Sequence, residues 1–167
     1  MIIKQSNVFL YHKFIMTIKA STYKTVSLPA LQVMGIKVNR FPEDVQSTFD
    51  SLEKKVLRRT QRKMFGALNV SNEVPEYKAC IEQGGLDNPL FLGLESYVLP
   101  GGKYISGKLI NWSLNKDLIR EMFGEMGHKY LLDASRPQLE YYKSKRELIL
   151  MLPIMPREEQ LKFGFEF

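Results

Sequence analysis

The chain has 167 residues, of which 44% are hydrophobic, 24 basic and 18 acidic, for a formal charge of +6 and a pI near 9.3. That length and apolar content fit one compact domain, or two small halves fused around one core, and exclude a wholly disordered chain. A single cysteine, Cys80, excludes a disulfide framework and a cysteine-based metal site within the chain, and it reads as a small buried hydrophobe inside a strand.

Patterned sequence begins near Met16, and residues 1–15 read as an upstream extension without the apolar run or cleavage site of a signal peptide. No stretch approaches the 18 or so uninterrupted apolar residues that a membrane span requires, so no membrane association is expected and the cytoplasm is the natural compartment. Residues 17–26 are rich in β-branched types and read as a strand, Pro29 as a bend, and Leu31–Val38 as the next strand. Pro42-Glu43-Asp44 opens a helix, whose apolar stripe is Val45, Phe49, Leu52 and Val56. A basic run from Arg58 to Lys63 ends it and reads as a solvated helix end. Two strands follow, at Ala67–Val70 and Tyr77–Glu82, with Tyr77 and Glu82 expected to face solvent.

Gly84–Pro89 is the clearest linker, and beyond it the order repeats. Leu94–Val98 and Tyr104–Leu109 read as strands. Ser113 or Asn115 caps a helix that turns Leu118, Ile119, Met122, Phe123 and Met126 inward and ends at Gly127 and His128. Gln138–Lys143 and Glu147–Ile154 close the half, and residues 156–167 form a tail. The segment around Leu28-Pro29 recurs at Leu99-Pro100, an offset of 71 residues. Carried through without a gap, that offset sets Phe41 opposite Trp112, Asn69 opposite Glu140 and Cys80 opposite Met151. The expected product is α+β: two pseudo-twofold strand–helix–strand–strand repeats, with an antiparallel sheet, both helices on one side and a ligand cleft between the repeats.

The stretch Gly93 to Tyr104, the strand Leu139-Glu140-Tyr141-Tyr142 and the final Leu150-Met151-Leu152-Pro153-Ile154 follow one another in order. Together they resemble the GyrI-like superfamily, the effector-binding domain of AraC- and MerR-type bacterial transcription regulators. The resemblance covers residues 17–155, with repeats at 17–83 and 93–155. It implies binding of hydrophobic aromatic cations, as in multidrug binding that senses or sequesters toxic compounds. It carries the family's buried glutamate onto Glu140. Tyr142 shares the face of Glu140 by period-two alternation. Tyr104, Trp112, Met151 and Ile149 complete the expected ligand-binding walls. The last strand departs from the family, since Ile149 and Met151 stand where an acid and a tryptophan are usual.

No catalytic residues, metal ligands or cofactors are expected. Residues 1–26 are too few for a helix-turn-helix, so no direct DNA binding is expected either. Two other readings stay open. One is a hydrolase of reactive small molecules using the same cleft. The other is a protein-interaction module of the type that protects gyrase from inhibition.

Overall fold

The computed structural model describes residues 23–56, 61–71 and 74–165. In chain order the elements of the first half are β1 (Lys24–Leu28), β2 (Leu31–Lys37), α1 (Val45–Lys55), β3 (Met64–Asn69) and β4 (Glu76–Glu82). A short helix α2 (Pro89–Leu92) links the halves. The second half has β5 (Glu95–Leu99), β6 (Gly102–Ile110), a 3-10 turn (Trp112–Leu114), α3 (Asp117–Lys129), β7 (Gln138–Tyr142) and β8 (Glu147–Pro153), before a last helix α4 (Arg157–Lys162). Among the described residues the strands form one eight-stranded sheet, in the order β1-β6-β8-β7-β3-β4-β2-β5, and every neighbouring pair is antiparallel.

That order forces the sheet to curl. β1 and β2 are joined only by Pro29 and Ala30, yet they stand first and seventh in the sheet. Strands lie about 4.8 Å apart, so six steps across a flat sheet would span roughly 29 Å. A two-residue link reaches about 11 Å. β5 and β6 are joined as tightly, by Pro100 and Gly101, and stand eighth and second. Both links are met only if the edges of the sheet swing toward each other, giving a curled half-barrel.

The two Leu-Pro links touch where the edges meet. A Cβ on Gly101 would lie 2.6 Å from the Ala30 nitrogen and 2.8 Å from the Leu28 carbonyl oxygen. Both are main-chain atoms held by the flanking ladders, so neither can retreat. Gly101→Ala is therefore expected to destabilise the fold by about 2 kcal/mol through overpacking, measured as a shifted urea midpoint with an unchanged slope.

Inside the curl lies an apolar cluster to which all eight strands contribute, including Val33, Phe65, Cys80, Leu99, Tyr104, Leu139 and Met151, flanked by Val26 and Leu28 of β1. Cys80 is fully buried there, and burial pushes its thiol up to about 12. The helices cover the outer face. Phe49 and Leu52 of α1 pack on Met34, Ala79 and Ile81, and Met122 and Met126 of α3 pack on Ile105, Leu109 and Leu150. No helix of the described residues is long and apolar enough to cross a membrane.

The two halves match strand for strand. β1, β2 and β4 map onto β5, β6 and β8 at the offset of 71, whereas the ladder registers carry β3 onto β7 at 74. The gapless expectation is thus corrected. Three extra residues in the helical segment of the second half are offset by a hairpin shorter by three. The structural counterpart of Glu140 is Gly66, not Asn69, and the two are also direct neighbours in the ladder. The pseudo-twofold axis passes through that pair. Each half also lends a strand to the other, since β1 pairs with β6 and β5 with β2.

Other local expectations shift as well. α3 has no side-chain cap from Ser113 or Asn115, and it runs on to Lys129. Tyr77 is not solvent-facing but 1% exposed. The upstream extension, the first part of the residue 17–26 strand and residues 58–60 of the basic run lie outside the described residues.

Candidate functional site

β7 presents Leu139 and Tyr141 to the interior of the curl and Glu140 and Tyr142 to the helix side, as alternation requires. Glu140 therefore stands at the centre of the sheet, on the axis, between the two helices. Its neighbour in the ladder is Gly66, which carries no side chain. That vacancy lets a tyrosine reach over β3 from β4. The Tyr77 hydroxyl donates to Glu140 Oε2 at 2.6 Å, and the Tyr142 hydroxyl donates to the same oxygen at 2.6 Å. The two hydroxyl oxygens lie 3.2 Å apart.

Aromatic rings pack on the two tyrosines that hold this carboxylate. Phe41, ahead of α1, stacks on Tyr77 with centroids 5.0 Å apart and planes 16° apart. Phe49 of α1 meets Tyr142 edge-on at 4.9 Å. Trp112, ahead of α3, meets the Tyr142 ring edge-on at 5.1 Å, and its Nε1–H donates to the Ser144 carbonyl. Phe41 and Trp112 are counterparts across the axis, so each half contributes one ring to the tyrosine pair. Phe41 is 41% exposed.

The electrostatics follow from burial. Glu140 is half-buried as a residue, with its carboxyl at the enclosed end. Desolvation raises its pKa above the ordinary carboxylate value, and the hydrogen bonds from Tyr142 and Tyr77 partly offset this. Burial raises the Tyr77 and Tyr142 hydroxyls too, reinforced by the adjacent carboxylate. Both hydroxyls therefore stay protonated at neutral pH and act as donors rather than bases. The result is a poorly solvated carboxyl group held by two tyrosine hydroxyls whose rings are packed by Phe41, Phe49 and Trp112.

Of the residues expected from sequence, the structure brings Glu140, Tyr142 and Trp112 together. It does not bring Tyr104, Met151 or Ile149 to them. Those three lie on the other face, in or against the interior cluster. The reason is register: Met151 sits opposite Leu139 and Ile149 opposite Tyr141, both inward-facing positions. Tyr104 is fully buried, its hydroxyl donating to the Pro100 carbonyl and its ring lying under the Arg136 guanidinium. Tyr77, Phe41 and Phe49 complete the cluster without having been singled out. The pairing of Phe41 with Trp112 at the repeat offset was the available signal for one of them. Nothing local marks Tyr77, whose role depends on Gly66.

No family model and no curated protein matches the sequence. Solved structures do match the fold. An integron cassette protein, VCH_CASS2, from the mobile metagenome of Vibrio cholerae is similar at a TM-score of 0.63 and 15% identity, over 80% of this chain and 95% of that one. SAV2435 bound to tetraphenylphosphonium is similar at 0.56 and 14% identity, over 82% and 96%. The C-terminal domain of EcmrR is similar at 0.55 and 11% identity, over 81% and 98%. These likenesses show a shared fold, in agreement with the GyrI-like architecture that the sequence resemblance implies.

Proposed function

We propose that this chain is a small-molecule binding protein that takes up hydrophobic aromatic cations between its two repeats, with Glu140 as counter-charge. The observation that carries this reading is the poorly solvated carboxyl of Glu140, held by two tyrosine hydroxyls whose rings are packed by Phe41, Phe49 and Trp112. A carboxylate removed from water costs free energy unless something compensates it. A cation at about 4 Å would return on the order of 4 kcal/mol at an effective dielectric of 20. Each aromatic face it meets would add roughly 0.5–2 kcal/mol.

Delocalised cations fit this site better than ammonium groups. Their charge is spread over carbon, so they lose less hydration on transfer. They also need no hydrogen-bond acceptor, and Oε2 of Glu140 already accepts two bonds. The fold shared with SAV2435, a protein whose structure holds tetraphenylphosphonium, supports the same class of ligand. A role in sensing or sequestering toxic cationic compounds follows from it.

Titration of the full chain with tetraphenylphosphonium and with a rhodamine dye tests the reading directly. Saturable binding at one site is expected. Phe41→Ala and Trp112→Ala are each expected to weaken it about tenfold, the scale of one lost cation–π contact in a partly dry site. Loss in neither variant would place the ligand elsewhere.

A further inference from the structure

We infer that the preferred ligand of this site is a delocalised aromatic cation carrying one ring N–H, such as a protonated heteroaromatic base, and that Oε1 of Glu140 receives this N–H. This deepens the reading above and rests on it. The fold treats the two oxygens of the carboxyl differently. Oε2 accepts both the Tyr77 and the Tyr142 hydroxyl, each at 2.6 Å. Oε1 accepts no hydrogen bond among the described residues. Yet among those residues no side-chain oxygen or nitrogen sealed from solvent lacks a partner. Oε1 is therefore not sealed. It is the oxygen that solvent, or a ligand, can reach, and Glu140 as a whole is accordingly half-buried.

The sequence builds this asymmetry. Tyr142 stands two residues along β7 from Glu140, and Tyr77 crosses β3 over Gly66. The two hydroxyl oxygens end 3.2 Å apart, converging on one oxygen and leaving the other. No resident cation supplies what Oε1 lacks. Burial and the two tyrosines account for the perturbation of Glu140, and no lysine or arginine of the described residues pairs with it.

The open oxygen sets what the cation carries. In the neutral carboxyl the proton belongs on Oε1, because Oε2 already faces two hydroxyl hydrogens. A ligand N–H aimed at Oε1 puts a hydrogen back in the same place, while the positive charge stays in the ring behind it. Hydrogen bonds between charged partners are roughly twice as strong as neutral ones. A quaternary cation of the same shape presents a methyl group there instead. It keeps the Coulomb attraction but takes water from Oε1 without giving a donor, and an acceptor left unpaired is costly. An alkylammonium errs the other way, bringing three N–H groups to one open oxygen. A single N–H on a delocalised ring is the match.

The test uses the full chain and two probes that differ only at the ring nitrogen. Protonated 4-(dimethylamino)quinoline has an N–H there, and 4-(dimethylamino)-1-methylquinolinium has N–CH3. Both carry one delocalised positive charge at neutral pH. Calorimetric titration of the parent is expected to show the N–H probe binding about tenfold more tightly, the scale of one charge-assisted hydrogen bond. In Glu140→Gln the two hydroxyls hold the amide oxygen where Oε2 stood, which turns the amide NH2 toward the ligand in place of Oε1. The preference for the N–H probe is then expected to vanish, whereas a preference caused by the bulk of the methyl group would persist. In the parent complex the N–H proton of a probe isotope-labelled at the ring nitrogen is expected to move downfield in the NMR spectrum, a readout that needs no variant. Equal affinities or the reverse order in the parent, a preference that survives Glu140→Gln, or an N–H signal that does not move overturns the assignment. So does failure of the N–H probe to bind where tetraphenylphosphonium binds, and that result leaves the cation site standing. If neither quinolinium nor tetraphenylphosphonium binds the parent chain, the cation site itself falls, and this assignment with it.

Discussion

Glu140→Gln is expected to weaken binding of tetraphenylphosphonium by roughly a hundredfold, without lowering the stability of the free protein. The two halves of that statement have one cause. The binding loss is about 2.7 kcal/mol, at 1.4 kcal/mol per tenfold. That is part of the ~4 kcal/mol a cation would gain from the charge at an effective dielectric of 20, because the aromatic contacts survive the substitution. Stability behaves differently because the fold raises the pKa of Glu140, chiefly by desolvation. A raised pKa means that the folded protein favours the neutral carboxyl. The contribution of Glu140 to stability is then fully present below its unfolded pKa, near 4.3, and is lost as pH rises through the folded value.

Above the folded pKa of Glu140 the parent protein therefore bears the cost of a charge that Gln does not carry. There the melting temperature of Glu140→Gln should equal or exceed the parent's, and that advantage should shrink as pH falls toward 4. Binding couples to the same proton. A cation stabilises the ionised form, so affinity for a permanently charged ligand should rise with pH through the folded pKa of Glu140 and then level off. In Glu140→Gln the profile should be flat over that range. A parent profile that is already flat would mean that Glu140 is not the counter-charge.

The sequence shows much of this arrangement, and the part it hides has physical causes. The Leu-Pro echo marks real counterparts, and the structure gives the reason for it. Leu28-Pro29 and Leu99-Pro100 are the two short links that draw the edges of the sheet together, so both need the same abrupt turn. The alternation that places Glu140 with Tyr142 is local and reads correctly. The choice of Met151 and Ile149 fails because it requires the register between β7 and β8, and register is a property of two strands. The match of Asn69 to Glu140 fails for another reason. Three residues gained in the helical segment and three lost in the hairpin restore the offset to 71 by β8, so the shift is invisible from either end. What it conceals is Gly66, the residue that makes the site possible.

Gly66→Ala is accordingly expected to be among the most damaging small substitutions in the chain. A Cβ at this position would overlap the Tyr77 hydroxyl, lie 2.5 Å from Tyr77 Cζ and come within 3.0 Å of Glu140 Oε2. Tyr77 cannot step aside easily. It is almost fully buried, it stacks on Phe41, and its hydroxyl is bound to Glu140. The added methyl would push the ring off the carboxylate, exchanging one strained contact for a weakened hydrogen bond to a poorly solvated charge. Overpacking alone costs about 1–3 kcal/mol, and depriving a buried carboxylate of one donor adds a further ~1–3 kcal/mol. A total loss of about 3 kcal/mol or more should appear as a lowered urea midpoint. Adding Tyr77→Phe to Gly66→Ala separates the two contributions. It removes the overlapping oxygen but keeps the ring, so if the clash dominates, the double variant should be more stable than Gly66→Ala alone. The reverse order would mean that the Tyr77–Glu140 bond outweighs the clash. Either way, cation affinity should fall less in Tyr77→Phe than in Glu140→Gln, because the hydroxyl only orients the charge that the ligand meets.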